Sequence, residues 1–342
     1  MKVAIIGAGA IGSVVAGYLT KAGVSVLLVG RSDQVEAIRQ NGLKIKKFDG
    51  TAEVISIPVA TRLDREYDLT IFTVKTQDIE AAYQANHQFL PTHANILSTQ
   101  NGVQADNILS SHFEPEKIIS SIVMFGATYV KPGEVTYNFP GDWIMGRPFG
   151  ANDTRVTDAE EILSKAFPIY VTGEIAGMKW LKLFVNFNNC IPALIGKSMQ
   201  ETFSDMDLCK LSILLLREGV NVVEHARIEL VSLPNFPVEK IKGLAVMPIE
   251  QAAGIMNKTL TGLSKEPLYG SILQSILRKK DSEIDFINGE VVLLAGNTGM
   301  KAPLNRKVVD LVHRVEREGK FLTAEEIKKE LMGEPVTIKG KI

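Results

Sequence analysis

Cysteine is nearly absent from this chain. Cys190 and Cys209 are the only two in 342 residues. Two cysteines cannot build a disulfide framework, so a reducing compartment, the cytoplasm, is the expected location. The five histidines are scattered, without metal-ligand spacing. There is no excess of one charge: Lys+Arg 38 stands against Asp+Glu 39, a net −1. Nucleic acid is therefore not an expected partner. No long, uninterrupted apolar run is present either. Residues 3–20 carry no charge, but Gly7, Gly9, Gly12 and Gly17 break the stretch. A membrane-crossing helix needs about 20 predominantly apolar residues. A signal peptide needs a compact apolar run followed by a cleavage site. Neither is expected here, nor is a membrane partner. Internal repeats and low-complexity segments are also missing. What remains is an ordinary globular composition, 45% hydrophobic and 23% charged. The length suggests about two domains.

The first part alternates short apolar runs with helical stretches. Val3-Ala4-Ile5-Ile6 reads as a buried parallel strand, 11–22 as a helix stopped at Gly23, and 24–29 as a second strand. A helix is expected over 33–41, a strand over 69–74, a helix over 79–90, and strands over 95–99 and 118–125. Runs at 135–139 and 143–146 are expected to pair around Pro140-Gly141. A helix at 153–167 and a strand at 169–171 follow. This alternation argues for a mostly parallel α/β sheet. Beyond Thr172-Gly173 strand-like runs vanish. Helices are expected at 174–195, 200–230, 238–262, 270–279, 282–298, 304–319 and 323–332. The expected organisation is thus a domain over 1–173, an all-helical domain over 174–332, and a tail over 333–342.

Gly7-Ala8-Gly9-Ala10-Ile11-Gly12 is a G-x-G-x-x-G between an expected strand and an expected helix. That is the context a dinucleotide-binding turn requires. Gly7 serves the tight turn, Gly9 the approach of a pyrophosphate, and Gly12 close packing of helix on strand. An NAD-preferring site usually places an acid about 20 residues further on. Here the second strand ends Val29-Gly30-Arg31, with Asp33 close by. A guanidinium can hold a 2′-phosphate, which argues for NADP(H). The alternative is a solvated surface arginine. Lys75 ends the 69–74 strand, and Gln100-Asn101-Gly102 follows the next one. Both stand where ligands of such sheets bind, although Asn-Gly is also a simple turn signal.

In the second half, Met178-Lys179-Trp180-Leu181-Lys182-Leu183-Phe184-Val185-Asn186 is apolar except for one stripe. Lys182 and Asn186 share a helix face, and Cys190 continues it. A lysine on a largely buried helix, if it faces a cleft, makes a workable general acid. It can equally be a snorkelling side chain, and Lys179 is its rival. Ser282 reads as a helix N-cap with Asp285 three later. From position alone, Glu283 reads as a first-turn acid favoured by the helix dipole.

These residues together resemble the ketopantoate reductase (2-dehydropantoate 2-reductase) family. The likeness runs from Gly7 to about Lys307. It rests on the glycine motif, Arg31, Thr-Val-Lys at 73–75, Asn-Gly at 101–102, Lys-x-x-x-Asn at 182–186 and Glu-Ile-Asp-x-Ile-Asn-Gly at 283–289. It implies a Rossmann-type N-terminal domain, a helical C-terminal domain like that of 6-phosphogluconate dehydrogenase, and an active site in the cleft between them. It implies reduction of ketopantoate to pantoate with NADPH. Lys182 would be the general acid, and Glu283 would bind the nascent hydroxyl and border the cofactor. Asn101 and Asn186 would contact cofactor, substrate or the lysine, and Ser271 the substrate carboxylate. Gly7, Ala8, Gly9, Ala10, Ile11, Gly12, Arg31 and Lys75 would lie on the cofactor side, with Asn101. The partner implied is a small 2-oxo acid, and the assembly a monomer or homodimer. Two departures stand out. Cys190 occupies a position where the family usually has a substrate-contacting Asn, and Ser275 stands where an aspartate is frequent. They keep open a reductase of a different 2-oxo acid. A β-hydroxyacid dehydrogenase of a neighbouring family and a non-catalytic dinucleotide-binding regulator are the remaining alternatives.

Overall fold

The computed structural model of this chain describes residues 1–264 and 266–332. The tail expected over 333–342 lies outside them. The chain divides into two compact units, Met1–Ala176 and one beginning at Gly177.

The first unit is built on twelve strands and five α-helices. In chain order these are β1 Lys2–Ile6, α1 Ala10–Lys21, β2 Ser25–Val29, α2 Ser32–Asn41, β3 Leu43–Lys46, β4 Ala52–Ile55, β5 Val59–Ala60, β6 Leu69–Phe72, α3 Ile79–Asn86, β7 Ile96–Ser98, α4 Ala105–Ser110, β8 Ile118–Val123, β9 Gly126–Lys131, β10 Glu134–Phe139, β11 Trp143–Gly146, α5 Thr154–Leu163 and β12 Ile169–Val171. Eight strands form one sheet in the order β12-β11-β8-β7-β6-β1-β2-β5. From β8 to β5 all neighbours are parallel, while β11 joins β8 antiparallel. The parallel strands are buried on both faces, which is why they read as continuous apolar runs.

A second sheet, β4-β3-β10-β9, was not expected from the sequence. Its strands are half-buried and alternate, as Leu43-Lys44-Ile45-Lys46 shows. It closes over α1. A Cβ on Gly17 would come within 2.5 Å of Ile45 Cδ1. This sheet also overturns one expectation: 135–139 and 143–146 do form strands, but not with each other. β10 pairs with β9 and β3, whereas β11 pairs with β8 and β12. The reason lies at Gly141, where a Cβ would meet Met124 O at 2.5 Å, and Met124 N donates to Asp142 O at 2.9 Å. The chain leaves the large sheet after β8 and re-enters it before β11 at one point, so Pro140-Gly141 is a crossover and not a hairpin turn.

The second unit is helical: α6 Ile175–Asn186 leads into it, followed by α7 Cys190–Ile195, α8 Met199–Phe203, α9 Met206–His225, α10 Glu239–Val246, α11 Ile249–Thr261, α12 Ser271–Leu277, α13 Asn288–Asn297, α14 Pro303–Glu318 and α15 Ala324–Met332. Four expected helices are split, among them 282–298, which becomes a 3₁₀ turn at Ile284–Phe286 followed by α13. The 174–195 helix breaks into a 3₁₀ turn at Phe187–Asn189. Pro192 has no N–H to donate back to Asn188, and two asparagines precede it, so one straight helix is excluded. The 200–230 helix is interrupted where Asp205 caps α9, accepting from Asp207 N at 2.8 Å. The 238–262 helix is interrupted at Met247-Pro248. Among the described residues, no helix is long and apolar enough to cross a membrane.

At the edge of the large sheet, the buried Arg147 donates to Ile118 O at 2.8 Å and to both carboxylate oxygens of Asp153 at 2.7 Å. Asp153 in turn caps α5. Arg147→Ala is expected to lower unfolding stability by about 2–3 kcal/mol. That is less than a fully buried pair would cost, because Asp153 retains Arg155. Urea unfolding in a Trp180→Phe background, where Trp143 alone reports, checks this; an unchanged midpoint would refute the role.

Candidate active site

In the first unit β1 is flanked by β2 on one side and β6 on the other. Ligands of open α/β sheets bind outside the carboxyl ends of strands at such a switch point. The glycine turn follows β1 there. Gly7 has φ +125°, and a Cβ on it would lie 2.7 Å from Val74 N. A Cβ on Gly12 would fall 1.9 Å from Gly7 O and 2.4 Å from Thr73 Oγ1. Thr73 Oγ1 itself donates to Gly7 O at 2.8 Å. Both glycines are thus demanded by the chain's own packing. Gly9 is not, because a Cβ there would meet nothing within 4 Å. It serves as the N-cap of α1, and the space beside it is open. Ala8, Ala10 and Ile11 complete the turn. The helix that starts at Ala10 has no side-chain cap and no acid in its first turn, which leaves its N–H groups available to an anion.

Two buried glutamines tie the neighbouring loops to this turn. Gln34 Nε2 donates to Ala8 O at 2.7 Å, and its Oε1 accepts from Arg31 N at 3.0 Å. Gln100 Nε2 donates to Phe72 O at 2.9 Å and Val74 O at 2.8 Å. Arg31, Lys75 and Asn101 therefore stand at one end of the sheet with the glycines. Arg31 is exposed, its guanidinium 3.4 Å from the Asp33 carboxylate. Lys75 is half-buried ahead of a 3₁₀ turn, where Thr76 Oγ1 donates to Asn101 O at 3.3 Å.

In the second unit Lys182 is half-buried on α6, and burial pushes its ammonium down to about 8. Asn186, one turn on, is buried at the end of the same helix. Lys179 is more deeply buried still, at 4% exposure. Cys190 does not continue the α6 stripe, because the 3₁₀ turn intervenes and Cys190 opens α7. Its thiol has no accessible surface, donates to Phe187 O at 3.0 Å and also interacts with Asn288. Burial pushes its pKa up to about 12. Ser271 is exposed at the start of α12, while a Cβ on the preceding Gly270 would lie 2.2 Å from Asn189 Oδ1. The helix bearing Ser271 thus seats against the break that follows Asn186. Ser275 is buried and donates to Ser271 O at 3.0 Å. Glu283 is buried, but it is not in the first turn of an α-helix. It precedes a 3₁₀ turn, Ile284–Phe286, and α13 starts only at Asn288. The expected capping box is absent: Ser282 Oγ accepts from Ile284 N at 3.3 Å instead. Among the described residues no group of three or more His, Cys, Asp or Glu is placed to hold a metal ion.

Comparison with known proteins decides the family. The profile described as ketopantoate reductase PanE/ApbA matches residues 3–148, and that of its C-terminal domain matches residues 174–316. The chain belongs to the ketopantoate reductase family. Its members are oxidoreductases. A 2-dehydropantoate 2-reductase of Pyrococcus horikoshii is 31% identical over 327 residues, which cover 93% of this chain and 99% of the relative. Another from Halobacterium salinarum is 27% identical, covering 93% and 100%. Among solved structures, a ketopantoate reductase of this family from Ralstonia eutropha JMP134 superposes with a TM-score of 0.77 at 25% identity, covering 93% of this chain and 99% of that one. A D-mandelate dehydrogenase bound to NADH and anilino(oxo)acetate has the same fold, with a TM-score of 0.81 at 22% identity and coverage of 93% and 99%.

Gln34 was not expected to matter, and its only signal is a glutamine three residues after Arg31. Thr73 was expected only as part of Thr-Val-Lys at 73–75, and its bond to Gly7 O has no signal in the local sequence. Gly12→Ala is expected to destabilise the protein by roughly 1–3 kcal/mol, through overpacking against backbone that cannot yield. Gly9→Ala meets no atom and is expected to cost less, roughly 0.5–1 kcal/mol, because alanine is a poorer N-cap than glycine. Paired thermal melts check the contrast, and equal losses would mean that Gly9 too is set by internal packing.

Proposed function

We propose that this protein is an NADPH-dependent reductase of a small 2-oxo acid, with ketopantoate as substrate and pantoate as product. The observation that carries the reading is Lys182. It is a lysine on a helix of the second unit whose ammonium is drawn to about 8 by burial and which shares a face with Asn186. Open space at Gly9 and the uncapped start of α1 support a pyrophosphate at the glycine turn. Arg31 supports the choice of NADP(H), since its exposed guanidinium follows β2 where a 2′-phosphate would lie. Lys75 and Asn101 would complete the cofactor side. The near absence of cysteine fits a cytoplasmic enzyme.

When bound, the dinucleotide supplies a hydride. The chain's own residues supply everything else. Lys182 as ammonium stabilises the negative charge growing on the carbonyl oxygen and donates the proton that completes the alcohol. Glu283 accepts a hydrogen bond from the new hydroxyl. Ser271 donates to the substrate carboxylate, and Asn186 orients the lysine. Cys190 acts by packing, through Asn288, and not by touching substrate. That reading of Cys190 also favours the runner-up, another 2-oxo acid, because the amide the family usually presents at this position is missing here.

The acid must be protonated. Turnover is therefore expected to be flat below pH 8 and to fall about tenfold per unit above it, as the lysine loses its proton. Lys182→Ala is expected to lower kcat by roughly 10²–10⁴-fold with NADPH affinity nearly intact. Near-normal turnover would remove Lys182 as the acid. The deciding assay is NADPH consumption with ketopantoate and a panel of 2-oxo acids, with NADH in parallel. Turnover of a different acid selects the second reading. NADPH binding without turnover of any acid points to a non-catalytic regulator. Arg31→Ala is expected to raise the KM for NADPH and leave that for NADH unchanged, and an equal rise in both would sink its phosphate role.

A further inference from the structure

The turn that carries Glu283 is held from below by two side chains of α14 that no part of the proposed chemistry uses. Glu316 accepts from Ser282 N through Oε1 at 2.8 Å, and its Oε2 lies 2.8 Å from His313 Nδ1. His313 Nε2 reaches Asp285 Oδ1 at 3.1 Å. The four residues close a ring, Ser282–Glu316–His313–Asp285, and Glu283 lies on the short arc of chain that the ring spans. Ser282 is buried, and the side chain of Glu316 is only 10% exposed. Burial works against a charged imidazole. The bonds to Asp285 and Glu316, and their charges, outweigh it and raise the pKa of His313. A doubly protonated ring donates from both nitrogens and so holds both carboxylates at once. The rail beneath is firm: Val308, Leu311, Val312 and Val315 of α14 are buried, and its Lys307 and Arg314 pair with Glu330 of α15.

A cap-box helix start would have fixed Glu283 by its own backbone. The turn observed here has short-range bonds instead, Phe286 N to Glu283 O at 3.0 Å and Ile284 N to Ser282 Oγ at 3.3 Å, because α13 begins five residues later. α14 adds a tether to each side of Glu283, at Ser282 and at Asp285. We propose that Glu316 and His313 are positioning residues: they set the place of Glu283 without touching substrate. The inference rests on the reading that Glu283 contacts the substrate. Misplacement of a reacting group by about 1 Å can cost on the order of 10²-fold in rate, so the clamp matters more for turnover than for folding.

Four full-length variants test it: Glu316→Ala, Glu316→Gln, His313→Ala and His313→Gln. Two measurements are made on each, amide hydrogen exchange across residues 281–287 and steady-state kinetics with the 2-oxo acid that the wild type reduces. Glu316→Ala is expected to speed exchange at Ser282 at least tenfold and to lower kcat roughly 10–100-fold, with NADPH affinity and melting temperature close to wild type. Glu316→Gln keeps an oxygen that accepts from Ser282 N, and is expected to recover most of both readouts. The His313 pair should follow the same order with smaller effects. Wild-type exchange and kcat in Glu316→Ala would overturn the proposal. So would equal losses in the Ala and Gln variants together with a lowered melting temperature, which would mark a merely structural role. If the wild type reduces no 2-oxo acid, the functional reading falls. The exchange data then decide alone whether α14 holds the turn: unchanged protection at Ser282 in Glu316→Ala rejects the clamp.

Discussion

The first unit depends on how closely α1 approaches the strands beneath it. Gly7 O and Thr73 Oγ1 occupy the space that a side chain at position 12 would need. That contact joins the end of β1, the start of α1 and the end of β6 into one corner. The rest is arranged around it. Gln34 and Gln100 bring the Arg31 and Asn101 loops to the same corner, the first by donating to Ala8 O in the turn and the second by donating to Phe72 O and Val74 O at and just beyond the end of β6. On its outer side α1 is covered by the small sheet, and again a glycine, Gly17, sets the distance.

The second unit solves a different problem. A helix that buries a lysine must be apolar on most sides, and its end must still connect to helices that cross it. The break after Asn186 makes that connection. It ends a rigid, apolar α6 and turns the chain so that α12 seats against the break and Asn288 reaches Cys190. Much of the local polar chemistry lies here and is internal to the unit. Asn288 Nδ2 donates to Asn305 Oδ1 at 2.9 Å, and Asn305 Nδ2 donates to Glu218 Oε1 at 2.9 Å. Buried amides in series of this kind specify one arrangement of helices more sharply than apolar contacts alone.

The large sheet, apart from its two-residue edge strand β5, was legible because parallel strands buried on both faces leave continuous apolar runs, and because glycine punctuates them. The small sheet was not. Leu43-Lys44-Ile45-Lys46 alternates as a half-buried strand must, but it is short, and its partner β10 lies far off in sequence. Helical content in the second half was legible from periodicity, whereas the breaks were set by single residues such as Pro192, Asp205 and Pro248. For the candidate residues, spacing on one helix placed Lys182 and Asn186 on a common face. Spacing could not reveal that Cys190 would turn inward, nor that Glu283 would sit on a 3₁₀ turn. Those outcomes involve residues far along the chain, Asn288 for Cys190 and Glu316 for the turn of Glu283, and no local pattern records them.

The register of the small sheet also bears on how the chain reaches this structure. β10 lies parallel to β3, with Val135 opposite Ile45. Some ninety residues of intervening chain, including four strands of the large sheet, separate those two segments. Closing so long a loop costs entropy that only later contacts return. The cover over α1 is therefore a late event in folding. Until it forms, the apolar flank of the helix that follows the glycine turn stays open to water. A nascent first unit would thus hold its glycine-turn corner before it holds the layer that shields α1, and that interval is when it is most exposed to aggregation.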